Sequence, residues 1–215
     1  MGIIGGIVMK WEELAITEFN NQLGSKKPTP GGGTASAIAL SNAASLAKMV
    51  CELTLGSEKW RTGWDHADSV KSMSQDILNR SYEFARFDSE AFDKVMDSFR
   101  LPKGTEEEIE ARRKSIRQAT LRAAQIPFDT ACLALELLKV LPPLITDGNK
   151  NAVSDVGVAS LLASAACKGA LFNVEINLSG IPEEMGIDIR KQVPAIKDDC
   201  SKISRNIMDM VKANL

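Results

Sequence analysis

Three segments carry residue types out of keeping with their surroundings, and each could do chemistry. Pro30, Gly31, Gly32, Gly33 and Thr34 run into an alanine-rich apolar stretch. Glycines ahead of a helix N-terminus let backbone N–H groups approach a ligand, and the helix dipole there favours an anion or electron-rich group. The spacing is not that of a phosphate loop, and no strand pattern precedes it. The same glycines also suit a closely packed helix entry. The second segment centres on Asp88, set on a helical stripe among Phe84, Phe87, Ala91 and Phe92. A carboxylate on an apolar face is costly to ionise unless it is paired or hydrogen-bonded. Asp88 therefore reads either as a capped or salt-bridged structural group, with Arg86 or Lys94 beside it, or as a carboxyl whose raised pKa suits acid or base work.

The third segment holds Asn149, Asn151, Ser154 and Asp155. Steps of three and four from Asp155 run through Ala159, Leu162, Ala166, Ala170, Asn173 and Asn177. One helix face would thus carry an acid at its start, small residues in the middle and two amides near its end. Amides can read the edge of a heteroaromatic ring through paired donors and acceptors. Ser154 or Asp155 would serve equally well as a helix N-cap. Lys59 and Arg61 flank Trp60 in a turn, and Lys26 and Lys27 precede the glycines; each group could meet an acidic ligand tail or simply be solvated. His66, between Asp65 and Asp68, reads as a helix-start surface residue or a catalyst.

Composition narrows the chemistry. The 215 residues include 26 basic and 28 acidic side chains, a net charge of −2, which gives no pull toward nucleic acid or an anionic membrane. His66 is the single histidine, so no two-histidine metal motif can form and no metal site is expected. Cys51, Cys132, Cys167 and Cys200 lie far apart in apolar stretches without a C-x-x-C pair, as expected of reduced structural thiols in a cytoplasmic protein. The apolar run of Met1–Met9 is too short to span a membrane and lacks a basic flank, so residues 1–9 read as an extension and 10–215 as one domain.

The elements that must position these residues are helical. Trp11, Leu14, Ala15, Phe19 and Leu23 predict an amphipathic helix. Thr34–Leu55 predicts a buried central helix, since Asn42 and Lys48 interrupt what could otherwise be a membrane span. Further helices are predicted over His66–Arg100, from Thr105 to about Leu141 with a kink at Pro127 and a stop at Pro142-Pro143, over Ala152–Leu178, and over Ile187–Ala213. Thr105 with Glu108 forms a capping box, and the charged run 105–117 reads as an exposed helix face. Long helices joined by short Pro/Gly turns make an all-α, antiparallel up-and-down bundle.

Pro28–Trp60 resembles the P-x-P-G-G-G-[ST] loop, alanine-rich helix and L-T-x-G-x-x-[KR]-[YW] ending of the cyclodeaminase/cyclohydrolase family. That family includes the C-terminal domain of formiminotransferase-cyclodeaminase and stand-alone methenyltetrahydrofolate cyclohydrolases. The likeness continues through Asp88–Phe92, Arg100–Lys103, Ile126-Pro127, Gly148–Asn151, Ser154–Gly157 and Asn173–Asn177. Ser57 departs from it, standing where many members carry lysine. The resemblance implies a helical homodimer acting on a reduced, polyglutamylated folate without metal or redox cofactor. It implies conversion of 5-formimidoyltetrahydrofolate to 5,10-methenyltetrahydrofolate and ammonia, or interconversion of the 5,10-methenyl and 10-formyl forms. A non-catalytic folate- or protein-binding bundle is the competing class. On the enzyme reading, Asp88 and Asp155 move protons and stabilise charge. Asn149, Asn151, Ser154, Asn173 and Asn177 bind the pterin or orient the acids, Gly31–Thr34 line the pocket, and Lys59 or Arg61 meets the glutamate tail. A formiminotransferase partner would be a separate protein.

Overall fold

The computed structural model describes residues 9–215, so the expectation for residues 1–8 lies outside it; Met9 itself packs half-buried against the core. The helices are α1 (Ile16–Leu23), α2 (Gly32–Leu55), α3 (Trp64–Phe99), α4 (Glu106–Val140), α5 (Pro142–Thr146), α6 (Val153–Ser179) and α7 (Ile187–Asn214). Turns of 3-10 helix cover Trp11–Glu13, Glu58–Gly63 and Lys150–Ala152. Among the described residues there is no strand.

α2, α3, α4 and α6 close a ring, each packed on two neighbours, and α7 lies outside against α6 and α4. Tertiary hydrogen bonds fix the directions. Ser98 near the end of α3 meets Ser115 near the start of α4, and His66 at the start of α3 meets Val140 at the end of α4. Thr34 at the start of α2 meets Asp88 in the second half of α3. The predicted antiparallel bundle is the observed fold.

Small residues set how closely the helices approach. Ala37, Ala43, Ala44 and Ala47 of α2 and Ala159, Ala163, Ala166 and Ala170 of α6 are buried. A β-carbon on Gly169 would come within 2.6 Å of Ser36 Oγ, so bare Gly169 lets α6 lie directly on α2. By length and composition α2 and the 150–179 stretch could each cross a membrane, yet both stand in this ring.

Local signals explain most helix ends. Thr105 Oγ1 accepts from the Glu108 N–H at 3.2 Å while Glu108 Oε2 accepts from the Thr105 N–H at 3.3 Å, the expected capping box. One reading needs correction. Trp11–Leu23 is not one helix: a 3-10 turn at Trp11–Glu13 is followed by extended backbone at Leu14 and Ala15. Burial of the Trp11 ring against the core overrides the helical spacing. Pro142-Pro143 ends α4 but also begins α5, where proline at the first helical positions costs no hydrogen bond.

Candidate active site

The glycine segment and Asp88 meet at one end of the bundle. Gly31 is the N-cap of α2 and offers no side chain to the first-turn N–H groups. Asp88 of α3 brings a carboxylate to that end: Thr34 Oγ1 donates to Asp88 Oδ2 at 3.1 Å. Gly33 makes room, since a β-carbon there would lie 2.5 Å from Asp88 Cγ and 2.6 Å from Oδ2. Only glycine lets this carboxyl rest on the start of α2. The carboxyl is thus held by the Thr34 hydroxyl and by its fit against Gly33.

Burial pushes the Asp88 pKa above the ordinary carboxylate value, and the Thr34 hydrogen bonds only partly oppose it. A carboxyl so held keeps its proton to higher pH than a solvated one, which suits it to proton transfer. Asn173 joins from α6. Its Nδ2 donates to Gly169 O at 2.9 Å and would lie 3.6 Å from a β-carbon on Gly32.

Two further polar residues complete this cluster, and sequence reading missed both. Trp11 Nε1 donates to Ser89 Oγ at 3.0 Å, and Ser89 Oγ lies 3.1 Å from Thr34 Oγ1. The partners are 55 to 78 positions apart, beyond the reach of any local pattern.

Asn177 is committed elsewhere. Pro127 lies inside α4 and lacks the N–H that would bond the carbonyl four residues back, which is Ala123 O. Asn177 Nδ2 donates to Ala123 O at 2.9 Å and fills that gap. Its amide is a structural repair, which takes the donor out of the ring-reading set. His66 plays a similar part: its ring Nε2 bonds Val140 O at 2.8 Å, satisfying a carbonyl at the end of α4.

The remaining candidates gather at the opposite end. Asn149 N–H donates to Thr54 Oγ1 at 3.1 Å, Asn149 Nδ2 reaches Leu53 O at 3.3 Å, and Asn149 Oδ1 caps the following turn through the Asn151 N–H at 3.0 Å. Lys150 Nζ binds Ile145 O and Thr146 O at 2.6 and 2.7 Å. This motif locks the end of α2 to the start of α6. Neither Ser154 nor Asp155 caps α6, whose N-cap is Ala152 without a side-chain bond. Asp155 lies half-buried in the first turn, where the helix dipole favours its charge. Lys59 Nζ stands 4.5 Å from the Trp60 ring centre, and exposed Arg61 pairs with Glu58 at 3.3 Å.

Asp155 and Asn173 share α6 but stand eighteen positions apart, about 27 Å at the helical rise of 1.5 Å per residue. Within one chain, Asp88, Gly31–Thr34 and Asn173 form one group. Asn149, Asn151, Ser154, Asp155, Lys59 and Arg61 form another. The two carboxylates do not meet in a single chain. Among the described residues, no three His, Cys, Asp or Glu side chains cluster as metal ligands would.

Residues 15–194 match the family model described as formiminotransferase-cyclodeaminase. The chain is 32% identical over 201 residues to a methenyltetrahydrofolate cyclohydrolase of Methylorubrum extorquens, covering 93% of this chain and 97% of that protein. It is 31% identical over 166 residues to the formimidoyltransferase-cyclodeaminase of Gallus gallus, 77% of this chain but 31% of that longer protein. A crystal structure of formiminotetrahydrofolate cyclodeaminase from Thermotoga maritima superposes with a TM-score of 0.78 at 28% identity, covering 95% of this chain and 96% of that one. With the glycine–aspartate junction in place and the match running through most of its length, the chain belongs to the formiminotransferase-cyclodeaminase family.

Proposed function

We propose that this chain acts on the single carbon bridging N5 and N10 of a tetrahydrofolate, as a formimidoyltetrahydrofolate cyclodeaminase with Asp88 as its proton-transfer group. The observation that carries this reading is the Asp88 carboxyl, seated against Gly33 at the start of α2 and partly exposed, with its pKa raised by burial. In ring closure N10 attacks the formimidoyl carbon and loses its proton, and the tetrahedral adduct then expels nitrogen as ammonia. Starting from the protonated formimidoyl group (an amidinium), a carboxyl with a raised pKa can take the N10 proton and return it to the departing nitrogen, which leaves as ammonia while the positive charge stays on the methenyl product. The 5,10-methenyl product is a cation, which nearby carboxylate charge stabilises.

Asp155 reaches that carbon only from a second copy. Val158, Leu161, Phe172 and Ile176 expose one apolar stripe of α6, and Met49 and Leu53 stand outward on neighbouring α2. A two-fold axis perpendicular to the helices would cover these stripes and set the Asp155 end of one copy beside the Asp88 end of the other. Lys59 and Arg61 would travel with Asp155 and meet the glutamate tail. The site would then be completed by a homodimer, working without metal or redox cofactor in a reducing cytoplasm.

A second reading has its own support in the cyclohydrolase relative, which matches along nearly its whole length. There water attacks the methenyl carbon, Asp88 takes one of its protons, and the N5–carbon bond breaks as the other passes to N5, leaving the formyl group on N10. The methenyl chromophore separates the two. Its appearance from 5-formimidoyltetrahydrofolate supports the deaminase; its disappearance from supplied methenyl substrate, faster than in buffer, supports the cyclohydrolase. No change with either refutes both in favour of a binding role.

A further inference from the structure

Trp11 is remote in sequence from every residue assigned a role above, yet its indole is buried against the Asp88 cluster. An indole N–H can only donate, so Ser89 Oγ must accept the 3.0 Å bond from Trp11 Nε1. The Ser89 proton is then directed to its other partner, Thr34 Oγ1 at 3.1 Å. Thr34 in turn donates to Asp88 Oδ2 at 3.1 Å. Each hydroxyl has one proton, so a donor-only group at one end fixes the sense of the whole chain. Reversing it would leave the Ser89 hydroxyl proton without an acceptor in a buried position, a costly state.

We propose that Trp11 is a positioning residue: its indole drives a one-way relay through Ser89 and Thr34 that keeps Asp88 Oδ2 an acceptor and leaves Oδ1 as the oxygen that gains and loses the proton. That Asp88 transfers a proton to substrate rests on the function proposed above; the relay itself does not. The charged pair on the same seam is Glu12 with Arg86, whose Oε1 and Nε lie 3.6 Å apart. Neither this pair nor a charged group of α2, α4 or α6 contributes to the Asp88 shift, which comes from burial and the Thr34 bonds. The relay is thus the part of its setting that a single substitution can alter without moving a charge.

The test is a pH titration of the full chain labelled with carboxyl-13C aspartate, the Asp88 resonance being identified by its loss in Asp88→Asn. Trp11→Phe keeps the ring and removes the donor. It is expected to raise the Asp88 titration midpoint by about 0.5 to 1 unit, the size of one modest hydrogen bond. Ser89→Ala is expected to give a similar rise, and Trp11→Phe to add nothing in the Ser89→Ala background, because both break one relay. If Trp11→Phe fails to fold, Ser89→Ala alone carries the test. An unmoved midpoint in Trp11→Phe, or in Ser89→Ala when that stands alone, overturns the proposal. So does an equal Trp11→Phe shift in both backgrounds, which would mark a packing effect. The readout needs no turnover. An active Asp88→Asn enzyme with an intact relay shift defeats the functional reading alone, and an inactive one with no relay shift defeats the relay alone.

Discussion

Replacing Gly33 by alanine tests the junction on which the site depends. The new methyl carbon would stand 2.5 Å from Asp88 Cγ, whereas carbon atoms pack best at about 3.5 to 4 Å. The α2 backbone cannot yield without shifting the helix start, so the carboxyl must move by about 1 Å. Overpacking of this kind costs about 1 to 3 kcal/mol. Alanine is favoured over glycine inside a helix by about 1 kcal/mol, which offsets part of that cost. The net loss is about 0 to 2 kcal/mol, a fall in Tm of no more than about 8 °C for a chain of this size. Turnover should suffer more, because misplacing a reacting group by about 1 Å can cost about 100-fold. Thermal melting by circular dichroism and the methenyl absorbance assay, run on the same preparation, give both numbers. Wild-type turnover in a folded Gly33→Ala chain would refute the claim that Asp88 must rest on bare Gly33.

Other predictions draw on separate features. Asn177→Ala leaves Ala123 O without its donor and should lower stability by about 1 to 3 kcal/mol; urea unfolding should show that Pro127→Ala, by restoring the missing N–H, removes most of this cost. Because burial raises the Asp88 pKa, the folded chain holds a proton that the unfolded chain has released between the ordinary carboxylate value and the raised one. Stability therefore falls as pH rises through that window. Asp88→Asn should melt above wild type at neutral pH, with the gap closing in acid; a constant gap across pH contradicts the sign. Co-refolding Asp88→Asn with Asp155→Asn should restore about a quarter of wild-type turnover, since half of randomly paired dimers would each hold one intact site. No recovery over the separate variants would exclude the shared site.

The helices were legible in the sequence because their signals are local. Thr105 and Glu108 mark the start of α4, and the Pro30–Thr34 segment marks the start of α2. The apolar company of Asp88 was legible in its helical spacing, though not the α2 terminus against which it rests. Asp155 and Asn173 were read onto one face, which helical spacing reveals, but spacing around the axis says nothing of distance along it. The rise between them carries them to opposite ends of the bundle. Trp11 looked like one more apolar position of an amphipathic helix, and only the tertiary packing shows its N–H at work. Asn177 could have been connected with Pro127 only by knowing that α6 lies against α4.

The central claim is that the Asp88 carboxyl carries the proton in folate one-carbon chemistry, and turnover of Asp88→Asn tests it most directly. The assay follows the methenyl chromophore, with formimidoyl and methenyl substrates supplied in turn to wild type and variant after circular dichroism shows both are folded. The account predicts a loss of about 100-fold or more in whichever reaction the wild type performs, the usual contribution of a positioned acid or base. Turnover close to wild type from folded Asp88→Asn would contradict it.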